Sequence, residues 1–414
     1  MLMMPEQMLA KRKCMESSDF DRLSNLPDEI LHHIMSFMKL RQTVQACILS
    51  KRWKNLWRQL PFLYFNRLDF RNCFQFNRFV DSFLFFRGTS PIQTFHLDWK
   101  FFFAGEITKS WINYVFTSKH LGYYPVELCH SFLPSSSIEE IDLRGWHFPM
   151  KEIRHKSITL VKVKKLHLSR VCLTGEFMQN LITGCPHLEE MTMEDCTLET
   201  SIIIASRVLK KLVIVDSSCS TNVKIHLSIP SLCSLHVNAI PGKVLWENLA
   251  SLVTAHLNFR YFYPYCYQKG VYELLSGLSN ATNLELTCEP LRLQYKNDVA
   301  ITQPIIKEFL EKELLDCVAF NNLKSLYIGE LDVNTDFIVV PQFFHLSPNL
   351  EMFTLCHEEN PQLIRAEKKE SKELCFPIRS SRPKMVRIKC HMPPDIIEEL
   401  SSTFKAKLDT LEII

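Results

Sequence analysis

The sequence has 414 residues, 46% of them hydrophobic and 22% charged, with a formal net charge of +3. A balance so near neutral, with ordinary apolar content, excludes wholesale disorder and gives no concentrated basic face of the kind phosphate binding needs. A chain of this length suits two or three domains or one elongated repeat array.

Ten glycines are few for this length, and the nearest two, Gly270 and Gly277, are too far apart for a GxGxxG fingerprint or a GxxxxGK phosphate loop. The fifteen cysteines are odd in number and contain no CxxC, the closest pair being Cys185 and Cys196. That pattern fits reduced thiols acting as small buried hydrophobes, and neither a metal nor another cofactor is expected. The first twenty residues read as a disordered tail. They lack the apolar h-region of a secretion signal, and Lys11-Arg12-Lys13 is a solvated basic triplet or a weak nuclear signal. No apolar run approaches the roughly 18 residues that span a bilayer. The expected location is nucleus and/or cytoplasm, with neither membrane nor nucleic acid as a partner.

The first predicted element begins in "LPDEILHHIM", residues 26–35. Pro27 suits a first helical turn, where its missing N–H costs nothing, and Asp28 and Glu29 complement the helix dipole. Ile30, Ile34 and Phe37 form one apolar stripe, and Leu31 and Met35 add a flank, so the helix should be buried against two things. Val44, Cys47 and Ile48 sit at helical spacing in the next segment. Trp53, Leu56, Trp57 and Leu60 form a third stripe, with Lys51, Arg52, Lys54 and Arg58 opposite and Pro61 as the stop. Three such short helices are marginal alone because they bury too little surface. The basic–aromatic phrase "KRWKNLWR" is explained by an amphipathic helix without nucleic acid. His32 and His33, adjacent on a helix, cannot share a metal.

The stretch "LPDEILHHIMSFMKLRQTVQACILSKRWKNLW" resembles an F-box in its L-P-x-E-I-L opening, its V-x-x-x-x-L-S-K-R-W core and its trailing L-W. That resemblance implies docking onto a Skp-type adaptor and, through it, a cullin scaffold with a RING subunit. Carried over residue by residue, the adaptor-facing set is Leu26, Pro27, Ile30, Leu31, Ile34, Val44, Leu49, Ser50 and Trp53. Ile30, Ile34 and Trp57 suit packing of the three helices against one another equally well. Residues 21–61 are assigned to this module and 62–90 to a connecting helical segment.

Residues 91–414 carry a recurring phrase. "LEEMTMEDCTL" at 188–198 fits the leucine-rich-repeat template LxxLxLxxCxL at every fixed position. "IEEIDLRGWHF", "VKKLHLSRVCL", "LKKLVIVDSSC", "LCSLHVNAI", "LVTAHLNF", "NLKSLYIGELDV", "NLEMFTLCH" and "LDTLEII" align with it. Weaker copies are "IQTFHLDW" at 92, "YPVEL" at 124, "ATNLEL" at 281 and "KMVRIK" at 384. The fourth template position falls at Ile141, Leu166, Met191, Leu212, Leu235 and Ala255, a spacing of 20 to 25 residues that loosens further on. Each LxL is a short strand with one apolar face. A lone strand cannot bury that face, so neighbours stack into a parallel sheet. "GEFMQNLITGCPHL" and "PIIKEFLEKELLD" (304–316) read as helices, and "RAEKKESKE" (365–373) as a solvated loop.

The expected fold is therefore α/β: an N-terminal three-helix F-box, then an irregular leucine-rich-repeat solenoid, a curved parallel sheet with helices and loops on its convex side. "GCPHLEEMTMEDCTL", "GLSNATNLEL" and "FFHLSPNLEMFTL" resemble plant F-box/leucine-rich-repeat proteins, including the meiotic type of grasses, and 376–414 weakly resembles an FBD module. Plant hormone-receptor F-box proteins carry many more, more regular repeats, so an inositol-phosphate cofactor does not carry over. The resemblance implies a non-catalytic substrate-recognition subunit of a Skp–cullin–F-box ubiquitin ligase. The alternative is an interaction scaffold outside a ligase, and no nucleophile elbow, metal spacing or phosphate loop argues for an enzyme. An unknown protein substrate would meet the x positions of the strands. Glu189, Glu190, Thr192 and Glu194 in one repeat, and Lys210 and Lys211 in the next, are candidates that ordinary solvated strand residues would also satisfy.

Overall fold

The computed structural model describes residues 25–48, 52–87, 90–99, 111, 137–149, 158–219, 223–238, 243–247, 249–258, 275–287, 310, 314, 317–329, 339–357, 385–390 and 410–413. Three short helices open it. Helix α1 (Asp28–Ser36) starts at Pro27, whose carbonyl accepts from the N–H groups of Ile30 and Leu31, both at 3.1 Å. Helix α2 (Leu40–Gln45) runs into a 3-10 turn over Ala46–Ile48, and α3 (Trp53–Leu56) into another over Trp57–Gln59. The Arg52 guanidinium pairs with Asp28, tying the start of α3 to the first turn of α1.

Residues 62–90, expected as a helical connector, open instead with a strand, β1 (Phe62–Asn66), before helix α4 (Cys73–Arg87). Leu63 and Phe65 alternate inward and are fully buried, which is the strand period rather than the helical one. Strand β1 pairs in parallel with β2 (Thr94–Asp98), Phe62 opposite Thr94. Helix α4 joins the two parts through aromatic packing. Phe83 lies 4.9 Å, ring to ring, from Trp57 of the helical module and 5.4 Å from Phe65 of β1, which in turn lies 5.9 Å from Phe95 of β2. Aromatic side chains of this size dominate core energetics, so the helices and the first strands share one core and no free linker separates them.

The remaining strands, in order, are β3 (Glu140–Pro149), β4 (Lys165–Leu173), β5 (Glu190–Glu194), β6 (Thr197–Leu198), β7 (Ile202–Ala205), β8 (Lys211–Val215), β9 (Ser218–Cys219), β10 (Lys224–Ser228), β11 (Ser234–Asn238), β12 (Lys243–Glu247), β13 (Thr254–Asn258), β14 (Asn283–Thr287), β15 (Ser325–Gly329), β16 (Met352–His357), β17 (Met385–Cys390) and β18 (Thr410–Ile413). The main sheet follows the path β1-β2-β3-β4-β5-β8-β11-β13-β14-β15-β16-β17-β18, parallel throughout. Its register sets the template leucines in one row. Ile141 is followed by Leu166, Met191, Leu212, Leu235, Ala255 and Leu284, each directly opposite the next. Phe95 of β2 lies opposite Ile141, so β2 and β3 are direct neighbours, and "YPVEL" at 124 falls outside the described residues.

Each repeat then turns. Arg170, Asp195 and Asp216 occupy the same place, one residue past the segment paired in the main ladder, and all three have positive φ, at 55°, 53° and 48°. This left-handed step redirects the chain into a short second ladder, β4-β6-β9. Buried Cys196, at the C of the template, follows it and donates its S–H to the Leu168 carbonyl at 3.3 Å. A separate three-stranded parallel sheet, β12-β10-β7, lies beyond that ladder, a feature the repeat template does not contain.

Helix α5 (Gly175–Gly184) is capped by Thr174, whose hydroxyl accepts from the Phe177 N–H, and it buries Phe177, Met178 and Leu181. Helix α6 (Val339–Leu346) buries Phe343 and Phe344. Of the helix expected over 304–316, Leu310 and Leu314 are described, both helical and buried, one turn apart. The loop expected at 365–373 falls outside the described residues. No described helix is long and apolar enough to cross a membrane.

Candidate interaction surfaces

Helix α1 carries two apolar stripes, as expected, but with their roles divided more sharply than the sequence suggests. Leu31 and Met35, one turn apart, are 0% and 1% exposed and face the core. Ile30, Ile34 and Phe37 repeat at i, i+4 and i+7. Ile30 and Phe37 stand open to solvent, and Ile34 is half-buried between them. The adaptor-facing set from sequence therefore splits. Pro27 and Ile30 are exposed, and Leu26, Ile34 and Val44 are half-buried. Leu31 and Trp53 are corrections. Both are core residues, Trp53 at 3% exposure, because each lies on the face its short helix turns toward the others. Leu49 and Ser50 lie outside the described residues. Phe37 and Ile48, the latter 88% exposed, are open apolar side chains that the sequence reading left out of the set.

The second surface is the open face of the main sheet. Positions 2 and 4 of β1–β5, β8, β11, β13, β14 and β15 are buried in the core, so alternation sends positions 1, 3 and 5 to the other face. Across β1–β5 the middle row reads Tyr64, His96, Asp142, His167 and Thr192, each directly opposite the next. Asp142 is 5% exposed. Its carboxylate receives Arg144 Nε at 3.0 and 3.1 Å and Arg144 Nη2 at 3.0 Å, with His96 Nδ1 at 3.1 Å and His167 Nδ1 at 3.4 Å on either side. Burial pushes the Asp142 pKa up, but hydrogen bonds from His167, His96 and Arg144 outweigh it and hold the carboxyl well below the usual carboxylate range. His167 reaches on to Glu194 of β5, Nε2 to Oε2 at 3.1 Å. The Tyr64 ring stacks 4.3 Å from that of His96. Burial, then the charges of Glu140 and Asp142, raise the pKa of its phenol.

Farther along, β8 puts Val213 and Val215 on the same face, an apolar saddle. Past it stand His236 of β11 and His256 of β13, then Glu285 and Thr287 of β14. His256 lies 3.6 Å from Glu285 and 3.2 Å from the Thr287 hydroxyl.

The substrate candidates named from sequence are divided by this geometry. Glu190, Thr192 and Glu194 occupy the open face of β5, and Lys211 stands beside Glu190 on β8. Glu189 and Lys210 precede their strands and neutralise each other at 3.1 Å on the rim. Asp142, His96 and His167 are the group that the sequence reading missed. The signal was there in "FHL", "LHL", "LHV" and "AHL", four histidines held between paired core residues. No trio of His, Cys, Asp or Glu among the described residues is placed to hold a metal ion.

Comparison with known proteins matches two stretches of the chain to known families. Residues 23–65 match the F-box domain, and residues 114–245 match the family of LRR repeats of the FBD-associated F-box protein At5g56370. F-box/FBD/LRR-repeat protein At1g78750 of Arabidopsis thaliana is 25% identical over 81% of this chain and 77% of its own length. F-box/LRR-repeat protein At2g42720 of the same plant is 28% identical over 80% and 77% respectively. A putative F-box/LRR-repeat protein, At3g18150, is 30% identical over 45% of this chain and 40% of its own.

Proposed function

This chain belongs to the plant F-box/leucine-rich-repeat proteins, and on that premise we propose that it is the target-recognition subunit of a Skp–cullin–F-box ubiquitin ligase. The F-box holds a Skp-type adaptor, which brings the cullin and its RING subunit, and the open face of the repeat sheet holds a protein target. The observation that carries this reading is the outward stripe of α1. A module of three short helices that shares its core with the sheet still leaves Ile30, Phe37 and Ile48 in solvent. Apolar residues grouped on one small module mark a protein-binding surface.

Chemistry in this chain is not required. Holding a target lysine near a charged ubiquitin carrier raises its effective concentration, and transfer follows from proximity. The aromatic core through Trp57, Phe83 and Phe65 gives the arrangement its use, since a rigid junction fixes where the target sits relative to the ligase.

The test is co-purification. Tagged full-length protein is expressed with a Skp-type adaptor, beside an Ile30→Glu/Ile48→Glu variant whose changes lie in solvent and leave the core intact. The adaptor should copurify with the wild type and be lost from the variant, while circular dichroism of the two is the same. If the folded wild type retains no adaptor, the ligase reading fails and an interaction scaffold outside a ligase replaces it.

A further inference from the structure

We propose that the open face over β2–β5 receives a segment of the target protein rich in lysine or arginine, its cationic heads set at Glu140 and Glu194, with the Tyr64 ring at the edge of the patch. This deepens the target-recognition reading and rests on it.

Charge is the first argument. The outward positions of β2–β5 hold five carboxylates, Asp98, Glu140, Asp142, Glu190 and Glu194, against two cations, Arg144 and Lys165. Counted without the two histidines, three net formal negative charges sit on four adjacent strands. Within the patch the cations are already engaged. Arg144 is chelated by Asp142, and Lys165 lies 3.6 Å from Glu190 at the strand start. The ion-pair partners of Glu140 and Glu194 are histidines, His96 at 3.7 Å and His167 at 3.1 Å, and both carboxylate side chains are nearly half exposed. Among the described residues, neither carboxylate faces a lysine or arginine within ion-pair distance, and the exposed part of each is open to an incoming cation.

The second argument is independent of charge. Tyr64 stands 49% exposed at the edge of the patch, one strand from His96. An open aromatic face beside carboxylates suits a guanidinium or ammonium group through cation–π contact. The patch is also preorganised. Asp142 is buried and gripped from three sides, so the row of side chains around it keeps its positions without a ligand. On the far side, Val213 and Val215 of β8 end the charged zone and offer room for an apolar residue next to the basic run. Complementary charge of this kind sets specificity and encounter rate, and it excludes acidic partners and nucleic acid from the same face.

The test uses a fluorescein-labelled nonapeptide of alternating Lys and Ser, and its Glu/Ser counterpart, with fluorescence anisotropy on the full-length chain at low and physiological salt. The cationic peptide should bind saturably and the acidic one should not, with affinity falling as salt rises. A Glu140→Lys/Glu194→Lys variant should weaken binding at least tenfold. A Glu176→Lys/Glu247→Lys variant, which changes net charge equally but away from the open face, should leave it unchanged. A Glu140→Gln/Glu194→Gln variant covers the case in which charge reversal unfolds the chain, and should weaken binding to a smaller extent. The proposal is overturned if no saturable binding is seen up to millimolar peptide, or if both Lys variants lose binding alike. Adaptor capture is measured on the same preparations. Capture without peptide binding sinks this inference alone, and peptide binding without capture sinks the ligase reading alone.

Discussion

The rings of His236 and His256 stand 4.3 Å apart, edge to face, directly opposite each other on β11 and β13. Burial lowers the His236 pKa, and the charges of His256 and Lys211 lower it further, against the opposing pull of Glu285. A histidine held neutral in the folded chain binds fewer protons there than in the unfolded chain, so its contribution to stability is complete above about pH 6.5 and is lost as pH falls below it. Thermal unfolding followed from pH 7.5 to 5 should show stability dropping below pH 6.5, with a shallower drop in His236→Gln. Equal slopes in the two proteins would show that the pair is not coupled to folding.

Gly184 closes helix α5 against residues 158–160, the segment just ahead of β4. Its carbonyl accepts from the Leu160 N–H at 2.8 Å, and a Cβ added at this position would lie 2.6 Å from both the Ile158 carbonyl oxygen and its Cγ2. Backbone cannot rotate aside as a side-chain tip can. Gly184→Ala should therefore destabilise the fold by about 1–3 kcal/mol, read from the midpoint of denaturant unfolding. A variant as stable as the wild type would mean that residues 158–160 shift freely, and that the Leu160 hydrogen bond adds little.

Cysteine reactivity should follow the repeat geometry. Cys185 and Cys196 are buried, and burial pushes both thiols up to about 12. Cys233, one residue ahead of β11, is exposed. Iodoacetamide at pH 8 should modify Cys233 within minutes and spare Cys185 and Cys196 until denaturant is added, as followed by peptide mass mapping. Labelling of Cys196 at the Cys233 rate would show that the turn through Asp195 opens in the native state.

How far the sequence reaches is best seen in single rows. The run from Ile141 through Leu166, Met191, Leu212, Leu235 and Ala255 is readable without coordinates, because a parallel stack forces one apolar position per repeat into the same column. The same period fails at β1. "FLYFN" directly follows a helix stop and matches no template, yet Leu63 and Phe65 make it the first strand of the sheet. The choice between Ile30 and Leu31 is equally illegible. Both are apolar, one position apart, and only the placement of α3 against α1 decides which stripe is covered.

The Asp142 cluster marks the same division. That an aspartate and four histidines lie between paired core residues is written in the sequence, and with it the fact that they point outward, since alternation along a strand is a local property. What they do to one another is not. His96 and His167 are 71 positions apart and meet one carboxylate because β2, β3 and β4 are neighbours with no strand between, although the intervening chain is much longer on one side than on the other. Local periodicity determines which face a residue occupies. Strand order and register, set by burial of the whole stack, determine its company, and here that company is what gives the face its charge.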